Sequence, residues 1–122
     1  MIIGVGTDIV DIRRIAAAIG RHGDRFLERI FTRSEINFCR SRLLSIESFA
    51  KIFAAKEAII KAISYTNGMT WHDIEVLHEK NGRPYAVLAG AALRNIRSND
   101  FHINISISDE KNYAIAFAII EG

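Results

Sequence analysis

The segment from Phe53 to Ala62 constrains the fold most, because it places one carboxylate and two ammonium groups in a run of apolar residues that favour helix. A buried charge without a partner is costly, so these charges need a structural or chemical reason. On a helix, Glu57 and Lys61 lie one turn apart on the same face. Phe53 and Ile60 flank Glu57 on that helix, which predicts a carboxylate at the edge of the packed face.

A second motif, Gly4-Val5-Gly6-Thr7-Asp8, places another carboxylate directly after a short apolar run. Magnesium in proteins is typically held by one or two carboxylates, water and substrate phosphates, and a lysine often contacts the phosphates. Asp8, Glu57 and Lys61 match that set, provided that the helix packs against the first strand. Taken singly, Asp8 is equally well a turn former or helix cap, and Glu57 with Lys61 a surface ion pair.

Composition predicts a single domain spanning residues 1–122, since the chain contains no linker, repeat or low-complexity tract. The one cysteine, Cys39, cannot form an internal disulfide, and the N-terminal apolar run is too short to span a bilayer. We therefore expect a cytoplasmic protein without membrane contact. Because 49% of the residues are hydrophobic, part of the apolar surface is expected to be covered by another copy of the chain.

Charge is distributed unevenly along the chain. Residues 1–42 contain eight arginines, no lysine and five acidic residues, whereas the remainder is close to neutral. Arginine binds acidic groups through planar, multidentate contacts, so this third of the chain favours an acidic partner. A solvated helix face is the plainer interpretation, and a small RNA-binding module is a further alternative.

The order of the predicted elements indicates an α+β fold, with an N-terminal strand, a helical segment containing one long central helix, and then antiparallel strands. Asp11, the Thr32 capping box and Ser45 are predicted to begin helices, and Asn81-Gly82 to form a hairpin turn. The last strand has no polar face, so both of its sides should be covered. The predicted ranges are strand 2–10, helix 12–20, a short helix from 32 toward 39, helix 45–63, strands 72–78 and 85–88, a short helix 91–96, strand 101–108 with a polar outer face, and strand 113–120.

Several motifs, taken in order along the chain, resemble those of the holo-[acyl-carrier-protein] synthase family. They are Ile3 to Val10, Arg14-Ile15, Thr32 to Glu35, Phe53 to Ala58, Lys61-Ala62, Asp73 to Val76, Asn81 to Tyr85 and Ser106 to Ser108. The resemblance implies a 4′-phosphopantetheinyl transferase of the small, trimeric bacterial type. Such an enzyme moves phosphopantetheine from coenzyme A to a serine of an acyl carrier protein, releases adenosine 3′,5′-bisphosphate and supports fatty acid biosynthesis.

The resemblance also implies roles for individual residues. Asp8 and Glu57 match the ligands of Mg²⁺, and Lys61 matches the lysine on the phosphate under attack. The serine proton would pass to Glu57 or to a metal-bound water, a choice that sequence leaves open. Two further sets are implied: the coenzyme A cleft between subunits, with Gly82, Arg83, Pro84, Ser106, Ser108, Asp109 and Lys111, and the carrier-protein surface, with Arg14, Arg21, Phe26 and Arg29.

Three positions differ from the usual family pattern. Ile52 stands where arginine is usual, Asp109 where histidine is usual, and residues 64–67 replace a glycine-rich stretch. These differences concern the grip on the adenosine end of coenzyme A and leave Asp8, Glu57 and Lys61 in place. They raise a further alternative, a catalytically degenerate homologue that only binds carrier protein.

Overall fold

The computed structural model describes residues 1–122 as an α+β fold in which helices pack on one face of a small antiparallel sheet. The elements are β1 (Ile2–Asp11), α1 (Ile12–His22), α2 (Asp24–Ile30), α3 (Arg33–Arg40), α4 (Ser45–Ile63), a 3₁₀ turn (Trp71–Asp73), β2 (Ile74–His78), β3 (Pro84–Leu88), α5 (Gly90–Arg94), β4 (His102–Asp109) and β5 (Tyr113–Glu121).

The three-stranded sheet has the order β1-β5-β4, with every pair antiparallel, and β2 and β3 form a separate hairpin. Helix α4 lies across the inner face of the sheet and supplies much of the core. The strand β5 turns alanines toward this helix, so that the two elements pack closely. No helix combines the length and the apolar character that crossing a bilayer requires.

Two glycines of β1 decide how closely α4 approaches the sheet. A Cβ atom added at Gly4 would lie 1.9 Å from the carbonyl oxygen of Ala62, and one added at Gly6 would lie 1.9 Å from that of Ala58. Side chains alternate along a strand, so Asp8 follows these glycines on the same inner face. The close approach therefore brings Asp8 to the surface of α4.

Most predicted elements are confirmed, and several details of the helices are corrected. Helix α1 continues through Gly20 and ends at Gly23, which adopts a φ of 56°. Helix α2 was missed because its seven residues are too few for a clear apolar period. The predicted cap at Ser45 is wrong, since Leu44 holds the N-cap position and Ser45 is already helical.

In a single chain, the outer face of the sheet is less covered than predicted. The strand β4 has the predicted polar outer face, with Ser106 and Ser108 exposed. On β5, however, Ile115 and Phe117 are more than 40% exposed, although we expected both sides of this strand to be covered. Neighbouring β1 adds Val5 and Ile9, which are also exposed. One chain thus presents an apolar sheet face that its own residues do not cover.

Candidate active site

Asp8 and Glu57 lie in the same cleft, at the edge of the sheet formed by β1. The cleft measures about 370 Å³ and is also lined by Arg14 and Phe26, from the helices that follow β1, and by Phe53 of α4. Asp8 and Glu57 were expected to meet only if the main helix packed against the first strand, and α4 does pack against β1.

The two carboxylates influence each other electrostatically. Burial raises the pKa of Glu57, the negative charge of Asp8 raises this pKa further, and the charge of Lys61 opposes both effects. The side chain of Glu57 is half-buried, as its flanking apolar residues predicted. A cation placed between Asp8 and Glu57 would relieve this repulsion.

Lys61 is held over the same edge of the sheet. Its ammonium donates hydrogen bonds to the carbonyl oxygen of Thr7 at 2.9 Å and to Oδ1 of Asp8 at 3.2 Å. The lysine side chain is 53% exposed, whereas that of Asp8 is 15% exposed. Lys61 therefore presents an exposed positive charge beside Asp8.

The two carboxylates fit a magnesium ion whose other coordination positions are taken by water and substrate. No group of three or more His, Cys, Asp or Glu side chains is placed to hold a metal ion. Two carboxylates leave most positions of an octahedral Mg²⁺ for water and phosphate oxygens, which is the usual arrangement at phosphoryl-transfer sites. Asp8 and Glu57 are thus suited to hold Mg²⁺ together with a bound pyrophosphate.

A second cleft, of about 480 Å³, lies at the opposite edge of the sheet, beside β4. Of the residues expected to contact coenzyme A, Gly82, Pro84 and Ser106 line it. Three basic side chains line it as well: Arg42, Lys51 and Lys80.

The remaining residues expected to contact coenzyme A lie outside this second cleft. Arg83, Ser108 and Lys111 are exposed and do not line it. Asp109 lies 4.0 Å from the ammonium of Lys51. Ile52, at the position where the family usually has arginine, is buried and forms part of the lining of the second cleft.

The two clefts open on opposite sides of α4. Ser48 lines the basic cleft and Glu57 lines the carboxylate cleft. These residues are nine positions apart, about two and a half turns, so they face opposite ways on the helix. A single chain therefore separates the carboxylates from Gly82, Pro84 and Ser106.

The expected carrier-protein residues divide in a similar way. Arg14 and Phe26 line the carboxylate cleft, whereas Arg21 and Arg29 are exposed outside it, on α1 and α2. All four belong to the arginine-rich third of the chain, next to Asp8 and Glu57.

Sequence reasoning missed the role of Lys56, whose side chain is fully buried. Its ammonium donates to the carbonyl oxygen of Ile30 and to Oε1 of Glu35, both at 2.8 Å. The same carboxylate accepts from the backbone N–H of Thr32 at 2.8 Å and from that of Val76 at 2.7 Å. This network ties α2, α3, α4 and β2 together one residue before Glu57.

The apolar pattern of α4 contained a signal for this network. The residues at i−4, i+3, i+4 and i+7 from Lys56 are all apolar, which places the lysine at the centre of the packed face. Because successive helix residues are about 100° apart, fixing Lys56 inside directs Glu57 toward the edge at β1.

Comparison with known proteins agrees with this architecture. The model of the 4′-phosphopantetheinyl transferase superfamily matches residues 4–118. The holo-[acyl-carrier-protein] synthase of Koribacter versatilis (strain Ellin345) is 46% identical over 124 residues, covering 99% of each chain.

Solved structures give the same result for the fold. The crystal structure of holo-[acyl-carrier-protein] synthase from Neisseria meningitidis superimposes with a TM-score of 0.85 at 32% identity and covers 100% of both chains. The complex of the Chronobacterium ammoniagenes enzyme with coenzyme A gives a TM-score of 0.83 at 30% identity, over 96% of this chain and 95% of the other.

Proposed function

The chain belongs to the 4′-phosphopantetheinyl transferase superfamily, and from this membership we propose that it is a holo-[acyl-carrier-protein] synthase that uses coenzyme A as donor. The group transferred is 4′-phosphopantetheine, and the acceptor is a serine of an apo acyl carrier protein. The observation that supports this most is the convergence of Asp8 and Glu57 in one cleft, with the ammonium of Lys61 bonded to Asp8.

Asp8 and Glu57 are the residues that would hold Mg²⁺. When bound, this ion supplies positive charge beside the pyrophosphate of coenzyme A. Lys61 meets the phosphate under attack and offsets the negative charge that develops on it. The bond between Lys61 and Asp8 lies at the surface. The ammonium therefore moves from Asp8 to the phosphate without disturbing the packed core.

The chemical step is a substitution at the β-phosphorus of coenzyme A. A bond forms between the serine hydroxyl oxygen and this phosphorus, and the bond from phosphorus to the bridging oxygen breaks. The bridging oxygen leaves with adenosine 3′,5′-bisphosphate, and the serine proton passes to a base. Glu57 and a water at the metal site are the two candidates for that base.

A complete site requires two copies of the chain. The carboxylate cleft and the basic cleft lie at opposite edges of the sheet, with α4 between them. The apolar outer face of the sheet, which includes Val5, Ile9, Ile115 and Phe117, supports burial against other copies. We propose a homotrimer in which the β4 edge of one subunit meets the β1 edge of the next.

The acyl carrier protein approaches across α1 and α2. Arg14 and Phe26 form one wall of the carboxylate cleft, and Arg21 and Arg29 extend the basic surface beyond it. An acidic helix on the carrier would bind this surface and bring its serine to the cleft. A cytoplasmic location and a part in fatty acid biosynthesis complete the proposal, and the buried free thiol of Cys39 suits a reducing compartment.

The test is mass spectrometry of apo acyl carrier protein incubated with the chain, coenzyme A and magnesium. We expect the carrier to gain the mass of phosphopantetheine, and we expect a chelator to prevent the gain. An unmodified carrier under both conditions contradicts the transferase. It would leave the carrier-binding homologue or the RNA-binding module, which binding assays with carrier protein and with RNA at several salt concentrations separate.

The variant Glu57→Gln tests the role of the general base. We expect it to lose transfer even at magnesium concentrations that saturate the wild type. If transfer persists at the wild-type rate while magnesium still binds, Glu57 is not the base. Glu47→Gln, on the first turn of α4 and outside the carboxylate cleft, is the matched control.

A further inference from the structure

His78, the last residue of β2, has an unusual environment at the basic cleft. Its Nδ1 atom is buried and has no hydrogen-bond partner. The ring lies parallel to that of Phe38, with centroids 4.0 Å apart and planes inclined by 4°. The remaining part of the ring lines the cleft, together with Lys51 and Ser106.

The groups around His78 are mostly basic. The guanidinium of Arg42 lies 5.5 Å from the centre of the Phe38 ring, Lys51 faces the cleft from α4, and Lys80 faces it from the hairpin turn. Glu79, also from that turn, is the one acidic residue lining the cleft. Burial lowers the pKa of His78, and the charges of Arg42 and Lys51 lower it further. The ring is therefore neutral at pH 7.

A neutral imidazole carries a single N–H, on one of its two nitrogens. A buried N–H without an acceptor is costly, and Nδ1 has no acceptor. The proton is therefore placed on Nε2, which is the nitrogen available to a ligand in the cleft. The stacked Phe38 ring holds that N–H in a fixed direction.

We propose that His78 is a specificity-determining binding residue that donates a hydrogen bond from Nε2 to a phosphate oxygen at the nucleotide end of the donor substrate. This inference rests on the proposed function, because coenzyme A is the ligand that brings a phosphorylated nucleotide to the cleft. Arg42, Lys51 and Lys80 supply the positive charge that draws the phosphate in. His78 adds a directed contact, which separates a phosphorylated nucleotide from other anions.

The contact is made by the neutral ring. An imidazolium would carry a second N–H on Nδ1, which is buried and has no acceptor, so the ring donates to phosphate without gaining a proton.

The experiment is calorimetric titration of the protein with adenosine 3′,5′-bisphosphate between pH 6 and 8. We compare the wild type with His78→Phe, which keeps a ring beside Phe38 and removes both nitrogens, and with His78→Gln, which keeps a donor. His22→Gln, a change at an exposed histidine outside the cleft, is the matched control. The binding defect of each variant is measured relative to this control at each pH, so that titration of the phosphate itself cancels.

For His78→Phe we expect about tenfold weaker binding, since a hydrogen bond to a charged group is lost. We also expect its KM for coenzyme A to rise with little change in kcat. His78→Gln should recover part of the affinity. Equal affinity of His78→Phe and wild type at every pH overturns the inference.

Two further readouts keep the result unambiguous. In the wild type, the ring proton signals of His78 in an NMR spectrum should shift when the bisphosphate is added, and unshifted signals on a saturated protein also overturn the inference. If the wild type neither modifies a carrier protein nor binds the bisphosphate, the proposed function itself fails. If it does both and His78→Phe matches it, only the role of His78 fails.

Discussion

The ammonium of Lys56 lies 2.8 Å from Oε1 of Glu35, and neither side chain is accessible to solvent. Burial lowers the pKa of Lys56, and the adjacent carboxylate opposes this change. Because the hydrogen bonds of the pair reach Ile30, Thr32 and Val76, the pair connects four elements of the fold, α2, α3, α4 and β2.

The first prediction concerns this pair. Lys56→Met leaves the carboxylate of Glu35 buried without a cation, so we expect a loss of about 3–5 kcal/mol in the free energy of unfolding. The measurement is urea unfolding followed by the fluorescence of Trp71, the only tryptophan. The double variant Lys56→Met with Glu35→Gln should recover part of the loss, and a single variant as stable as the wild type would contradict this account.

The second prediction tests the close approach of β1 and α4. Gly6→Ala places a methyl group against the carbonyl oxygen of Ala58, and we expect a loss of about 3 kcal/mol or more, with weaker magnesium-dependent activity. Gly20→Ala is the matched control, because a Cβ atom there meets nothing within 4 Å. We expect that control to raise the stability by about 0.5–1 kcal/mol. Similar stabilities of Gly6→Ala and Gly20→Ala would contradict close packing of α4 against Gly6.

The third prediction concerns the end of α4. Ser64 adopts a φ of 69° and a ψ of −45°, and the N–H of Tyr65 donates to the carbonyl oxygen of Ile63 at 2.8 Å. These values describe a γ-turn with positive φ, which is rare and strained for a residue with a side chain. We expect Ser64→Gly to stabilise the protein by about 1 kcal/mol.

Ser64→Ala is the control for this position. It keeps the strain and removes the hydrogen bond from the Ser64 hydroxyl to the carbonyl oxygen of Lys61. It should not stabilise the protein. A glycine variant that melts below the wild type would contradict strain at this turn.

The fourth prediction is a pH dependence of stability. The pKa of His78 in the folded chain is lower than its ordinary value of 6.5, so the unfolded chain binds this proton first as the pH falls. Stability should therefore decline from pH 6.5 downward through the folded pKa, and His78→Gln should remove that part of the decline. Urea unfolding at intervals between pH 5 and 8 measures both proteins. Parallel curves for the variant and the wild type would contradict a lowered pKa.

Much of the fold follows from local patterns in the sequence. The capping box at Thr32 and Glu35, the alternation in β4 and the Asn81-Gly82 turn each depend on neighbouring residues, and each predicted its element. Helix α2 and the N-cap of α4 were not predicted correctly. Helix α2 is short, and a serine beside an apolar run does not reveal which residue is the N-cap of α4.

For the site, the sequence predicted which residues take part but not how they are brought together. Asp8, Glu57 and Lys61 were identified from residue types and a family resemblance, and their common position depends on Gly4 and Gly6, whose effect is visible only once β1 and α4 are packed. The arrangement of the basic cleft depends on how the hairpin, α4 and β4 meet, which no local pattern contains. The outer face of β5 was expected to be covered, yet Ile115 and Phe117 are exposed in the single chain.

The central claim is that the carboxylate cleft of one subunit and the basic cleft of the next form one active site. It is tested most directly by mixing two inactive variants, Lys61→Ala in the first cleft and Arg42→Ala with Lys51→Ala in the second. The two proteins are unfolded and refolded together, native mass spectrometry verifies the mixed assemblies, and transfer to apo carrier protein is measured. We predict that the mixture regains activity that neither variant has alone, because some sites then combine two intact halves. Mixed assemblies without activity would contradict the account.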